Sequence, residues 1–148
     1  MSEYVLSAEG STGKKYHDAL LYRQTTDGSA TEVTFDGTAP SSSNRFFITE
    51  DTAFFCRVNI IARETSGADF ASYMRYLIIE NTGGTTALSG SVTTLGSDLG
   101  SNAGAPPAGW GGPTITADNT NDSLKVDVTG QAATTINWLV KVDAIEVD

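Results

Sequence analysis

The chain has 148 residues, a length that suits one domain with its own core and makes disulfide or metal staples unnecessary. Charged residues make up only 18%, below the usual quarter, and the net charge of −9 gives an acidic surface that repels phosphate backbones, which excludes nucleic acid as a direct partner. The single cysteine, Cys56, excludes an intramolecular disulfide and a cysteine-rich metal site.

Residues 1–15 (MSEYVLSAEGSTGKK) are polar apart from the triplet Tyr4-Val5-Leu6 and are expected to form an extended N-terminal arm, with a single domain over 16–148. The arm lacks the shape of a signal peptide, and no apolar run reaches membrane-spanning length, so synthesis in the cytoplasm and no membrane partner are expected. Ala19 to Tyr22, a turn at Thr26-Asp27-Gly28, and Glu32 to Phe35 together predict a hairpin. Asp36-Gly37 and Pro40 with its serines break the chain before a short Phe46-Phe47-Ile48 strand. The clearest signal follows. Phe54, Cys56, Val58, Ile60 and Ala62 alternate with Phe55, Arg57, Asn59, Ile61 and Arg63, which is period two and predicts a strand with one buried face. Residues 70–80 repeat this less cleanly up to the Asn81-Thr82-Gly83-Gly84 turn, and Thr85 to Leu95 has the Thr/Val content of a strand. Residues 96–113 predict a long Gly/Pro loop. Two final strands put Leu124, Val126 and Val128 on one face, then Ile136, Trp138, Val140 and Val142 on another, which makes Trp138 core or subunit interface. No segment sustains a helical period and no internal repeat is visible. The fold class is all-β: an antiparallel two-sheet, jelly-roll-like sandwich with an extended N-terminal arm, an open barrel being the alternative.

Several stretches imitate chemical sites. Asp118-Asn119-Thr120-Asn121-Asp122 opens like a calcium loop, but the sixth and twelfth positions, which need Gly and Glu, hold Ser123 and Thr129. Asx side chains ahead of a strand make a corner instead. AEGSTGKK, residues 8–15, nearly matches a phosphate-binding loop, yet Lys15 stands where magnesium needs Ser or Thr, and no long helix follows. Lys14-Lys15 is too small a basic pair for a binding patch. His17 is the lone histidine, without a Gly-x-Ser-x-Gly elbow elsewhere, and Cys56 falls on the apolar side of its strand. Nothing among the 18 acids singles out a catalytic pair. No catalytic, cofactor or metal residue is therefore assigned. Trp110, in the loop Pro106 to Pro113, has two readings: an exposed ring that contacts a sugar or a neighbouring subunit, or a lid folded over one end of the sandwich.

The strand ending in Ala62-Arg63, the Asn81-to-Leu88 turn (NTGGTTAL), the Asp118-to-Asn121 corner and the closing Ile136-x-Trp138 strand together resemble a β-rich virion structural domain of tailed bacteriophages, over roughly residues 44–147. The resemblance implies a module of a tail fibre or capsid surface protein that forms β-rich trimers, and it carries no catalytic residue. With no shaft, coiled coil or tail-attachment domain in the 148 residues, the expectation drawn from it is a capsid decoration (cement) protein. It would be made in the host bacterial cytoplasm and bound as a homotrimer to the major capsid protein on the outer head surface, with Tyr4, Val5 and Leu6 as anchor. The alternative is a tail-fibre or head-surface module that recognises host glycans through Trp110. A glycan depolymerase has the least support.

Overall fold

The computed structural model describes residues 4–6 and 14–148. Among them the chain forms strands and no helix, in the order β1 (Tyr4–Leu6), β2 (Lys14–Thr25), β3 (Ala30–Glu32), β4 (Phe46–Phe47), β5 (Thr52–Glu64), β6 (Phe70–Thr82), β7 (Thr85–Leu88), β8 (Thr93–Thr94), β9 (Leu99–Gly100), β10 (Gly111–Asp118), β11 (Ser123–Thr129) and β12 (Ile136–Val147). The large sheet runs β1-β2-β12-β5-β6-β7, with β8 and β9 also paired to β6. The small sheet runs β10-β11-β3, with β4 paired to β11. The ladders are antiparallel, as expected of a two-sheet sandwich.

Alternation dictates the layers. Phe54, Cys56, Val58, Ile60 and Ala62 of β5 are all buried, as are Ile136, Trp138, Val140 and Val142 of β12. They meet Leu124, Val126 and Val128 of β11, with Val33, Phe46 and Ile115, in one core between the sheets. Each Val, Leu, Ile or Phe among them, fully buried, contributes about 1.5–3 kcal/mol. Two buried polar groups at the core are paired: Trp138 Nε1 donates to Thr25 Oγ1 at 2.9 Å, and Arg45 grips the buried Glu32 through Nε (2.8 Å) and Nη2 (3.3 Å).

Three expectations need correction. The Ala19–Phe35 hairpin does not form: β2 lies in the large sheet and β3 in the small one, joined only by a bridge at Tyr22 and Thr34. A 12-residue strand gains more from β12, which matches it from Ile136↔Thr25 to Val147↔Lys14, than from the three-residue β3. Thr85–Leu95 is two strands, broken at Ser89-Gly90, where Gly90 has φ +87°. Within the Gly/Pro loop, β9 forms at Leu99–Gly100 and β10 begins at Gly111, two elements that short length and glycine content concealed.

Candidate functional site

The period that buries one face of each long strand leaves the opposite parity outside. On the large sheet that outer parity is not polar. In register across β2, β12, β5 and β6 lie Tyr22, Leu139, Ile61 and Ser72; two residues along, Leu20, Lys141, Asn59 and Met74; then Asp18, Asp143, Arg57 and Tyr76; then Tyr16, Ile145, Phe55 and Ile78. Two apolar rows thus flank a polar centre. Ile145 is 58% exposed, Ile61 57% and Phe55 46%. Of the exposed large apolar side chains among the described residues, all but Phe47, Leu95 and Leu99 belong to this face.

The polar centre is internally satisfied. Asp143 accepts from Tyr16 Oη at 2.9 Å and Arg57 at 3.3 Å, and lies 3.1 Å from Lys141 Nζ, which also reaches Asp18 at 3.4 Å. Burial pushes the Asp143 carboxyl up, but the bonds from Tyr16, Lys141 and Arg57 outweigh it and hold the group below the usual range. The same pairing raises Lys141 and Tyr16, in each case through the hydrogen bond with Asp143 first. A groove of about 640 Å³ crosses one end of the face, with Tyr22, Ile61 and Leu139 as its apolar lining and Gln24, Arg63 and Asn137 as its polar one. Gln24 donates to Asn137 Oδ1 at 3.0 Å, so part of that polar lining is already engaged.

Trp110 is not an exposed contact. It is 7% exposed, its ring centroid 5.9 Å from that of Trp138, which stacks on Tyr73 at 6.3 Å. The loop folds back because Gly109 takes φ +89° and Trp110 N–H donates to the Pro107 carbonyl at 3.1 Å, letting a large ring leave water. Arg75, bidentate to Asp98 at 2.6 and 2.9 Å, sits 5.8 Å over Tyr73 and closes the cluster. The ring belongs to the core rather than to the outer surface of its loop.

Tyr4, Val5 and Leu6 are placed as β1, paired with Asp18, His17 and Tyr16 along the edge of β2. β2 begins at Lys14, so the last two residues of the expected arm belong to the sheet, paired with Val147 and Glu146. Residues 7–13, most of the phosphate-loop imitation, lie outside the described residues. His17 Nε2 lies 2.5 Å from Oε2 of the buried Glu146, which Lys15 also reaches at 3.3 Å, and its ring packs against Phe54 and Phe46. Cys56 is fully buried, and burial pushes its thiol up to about 12.

The calcium-like stretch is a corner with a second task. Asp118 Oδ1 accepts from the Thr120 and Asn121 amides at 3.0 and 3.2 Å, while Asn119 Oδ1 and Asp122 Oδ1 accept from the amide (2.6 Å) and hydroxyl (2.7 Å) of Thr86. The corner of the small sheet is thereby stapled to the NTGGTTAL turn of the large one. No group of three or more His, Cys, Asp or Glu positioned for a metal occurs among the described residues.

The outer face was the feature sequence reading missed. Its signal was present: Phe55 and Ile61 on β5, and Leu139, Ile145 and Val147 on β12, give these strands apolar residues at both parities.

No protein-family model matches the chain, and no curated protein is similar to it. Among solved structures it is similar to the tailspike protein gp49 of Acinetobacter baumannii bacteriophage Fri1, a capsular polysaccharide depolymerase, with TM-score 0.43 and 8% identity over 95% of this chain and 19% of that one. It is also similar to the tailspike protein of Acinetobacter phage vB_ApiP_P1, with TM-score 0.38 and 14% identity over 90% of this chain and 22% of that one. The chain spans about a fifth of the length of each tailspike.

Proposed function

We propose that this chain is a non-catalytic structural module of a tailed-phage virion that works as a homotrimer in a tail fibre or spike. The observation that carries the reading is the outer face of the large sheet, a broad apolar surface that a lone domain has no reason to keep. The resemblance of the NTGGTTAL turn and the DNTN corner to virion domains fits it, since the structure uses both motifs to lock the two sheets together. The part-buried carboxylates already have structural partners: Glu32 with Arg45, Asp98 with Arg75, Glu146 with His17, and Asp143 with Tyr16.

Capsid decoration needs an arm free to grip the major capsid protein. The backbone of Tyr4–Leu6 is instead engaged with β2 of its own chain, which favours the tail reading. Host-glycan recognition through Trp110 loses its basis with the burial of that ring. An antibody to the chain, applied to purified particles of the phage that encodes it, tests the reading. A few copies at the tail are expected. Hundreds over the head would restore decoration, and absence from the particle would end the proposal.

A further inference from the structure

We infer that the outer face of the large sheet is where copies of this chain meet, with the rows Tyr22–Leu139–Ile61 and Tyr16–Ile145–Phe55–Ile78 forming the apolar contact. This deepens the homotrimer proposed above by naming its interface.

Size is the first argument. β12 pairs over its 12 residues with both β2 and β5, and β5 pairs over nearly the same length with β6. Four strands spaced ~4.8 Å apart and rising ~3.4 Å per residue span roughly 19 by 40 Å, or about 750 Å² of flat surface. A standard protein interface covers ~800 Å² on each partner, so this face is the size of one standard contact, which three copies packed face-inward about a common axis would share between two neighbours. A monomer seldom leaves an apolar patch of more than a few hundred Å² open.

Charge is the second, and it selects the occupant. The described side chains of the face include three cations, Arg57, Arg63 and Lys141, and three carboxylates, Asp18, Glu80 and Asp143. They cancel, on a chain whose net charge is −9. Two copies therefore repel one another elsewhere and meet without net repulsion here. The central Asp143–Tyr16–Arg57–Lys141 cluster is satisfied within one chain, so the centre of the face offers no unpaired charge to a polyanion or polycation. What it offers is neutral and apolar, and a second copy brings the same.

The edges of the sheet supply the third. Pairing of copies strand to strand needs a long free edge. The β6 edge is taken up in three short pieces: β7 opposite residues 79–82, β8 opposite 75–76 and β9 opposite 71–72. The opposite flank of β2 carries β1. The large sheet thus has no edge free along its whole length, and the face is the broader surface it presents.

The test is the molar mass of the full chain in solution, by light scattering coupled to size exclusion, between about 5 and 100 µM. Wild type is expected to run as a trimer, and the double variant Ile61→Glu/Ile145→Glu as a monomer. Phe47→Glu, equally exposed but on the small sheet, should leave the assembly intact. Tryptophan emission reports folding, because Trp110 and Trp138 lie in the core and not on the face. Should the glutamates prevent folding, Phe55→Ser/Leu139→Ser asks the same question with milder polarity. Raising salt from 50 to 500 mM should tighten assembly, since it screens repulsion between acidic copies while leaving the apolar contact. A monomeric wild type, face variants that stay assembled, or a Phe47 variant that dissociates equally would each overturn the inference. Failure here with the chain still found in virions would remove this interface and leave the virion reading standing.

Discussion

Thr25→Val is the sharpest test of how the closing strand is locked into the sandwich. Thr25 ends β2 and is 3% exposed; its hydroxyl oxygen accepts the indole N–H of Trp138, itself 2% exposed, at 2.9 Å. Valine keeps the shape and deletes the acceptor. The indole N–H then has no water to turn to, and an orphaned buried donor costs about 1–3 kcal/mol. At ~2.1 cal/mol/K per residue, a chain of 148 residues unfolds with an entropy near 0.3 kcal/mol/K, so a 2 kcal/mol loss lowers Tm by about 6 °C. Urea unfolding followed by tryptophan emission, at one fixed protein concentration, measures the cost. The control is the same change in a Trp138→Phe background, where no donor exists to be orphaned. There Thr25→Val should cost at least ~1 kcal/mol less. A cost below about 0.5 kcal/mol in wild type, or an equal cost in both backgrounds, would refute the claim that this bond secures β12 to β2.

Cys56 should resist a thiol reagent in the native protein and react stoichiometrically once unfolded, since it is fully buried and its thiol is pushed up to about 12; rapid native labelling would mean that β5 opens readily. Asp36 is held at about 2 by the Thr38 amide first, then by the Thr38 hydroxyl, Asn44 and Thr34. Its folded value lies below its unfolded one, so its contribution is complete above about pH 4 and disappears as pH falls towards 2. Asp36→Asn should therefore flatten the acid limb of the stability profile in that window, and an unchanged limb would contradict the turn geometry. Trp110→Ala should lower stability by about 3–5 kcal/mol, as loss of a buried aromatic does, and leave the molar mass of the assembly unchanged. A neutral effect on unfolding would show that the ring is not part of the core.

What was legible in the sequence was whatever a single strand decides for itself. The alternation from Phe54 to Ala62 gave β5 and its buried parity, and Ile136 to Val142 gave β12, because side-chain direction follows from backbone geometry alone. The Asp118 corner was equally local, since Asx side chains bond the amides just after them. Partner choice was not local. Ala19–Tyr22 and Glu32–Phe35 are near in sequence, yet β2 takes its long ladder from β12, more than a hundred residues away. The second task of the corner, receiving Thr86 from the other sheet, was hidden for the same reason. Trp110 turned inward through a loop conformation that glycine and proline permit but do not announce. The outer face was hidden because one apolar parity already accounts for β5 as a half-buried strand, and single exposed apolar residues such as Phe55 and Ile61 are ordinary on a protein surface.

The central claim is that this module is built to stand against copies of itself, and the molar mass of Ile61→Glu/Ile145→Glu beside wild type tests it most directly. The account predicts a trimeric wild type and a folded monomeric variant, with tryptophan emission unchanged between them. A folded variant with the mass of wild type, or a wild type that stays monomeric at 100 µM, would contradict it.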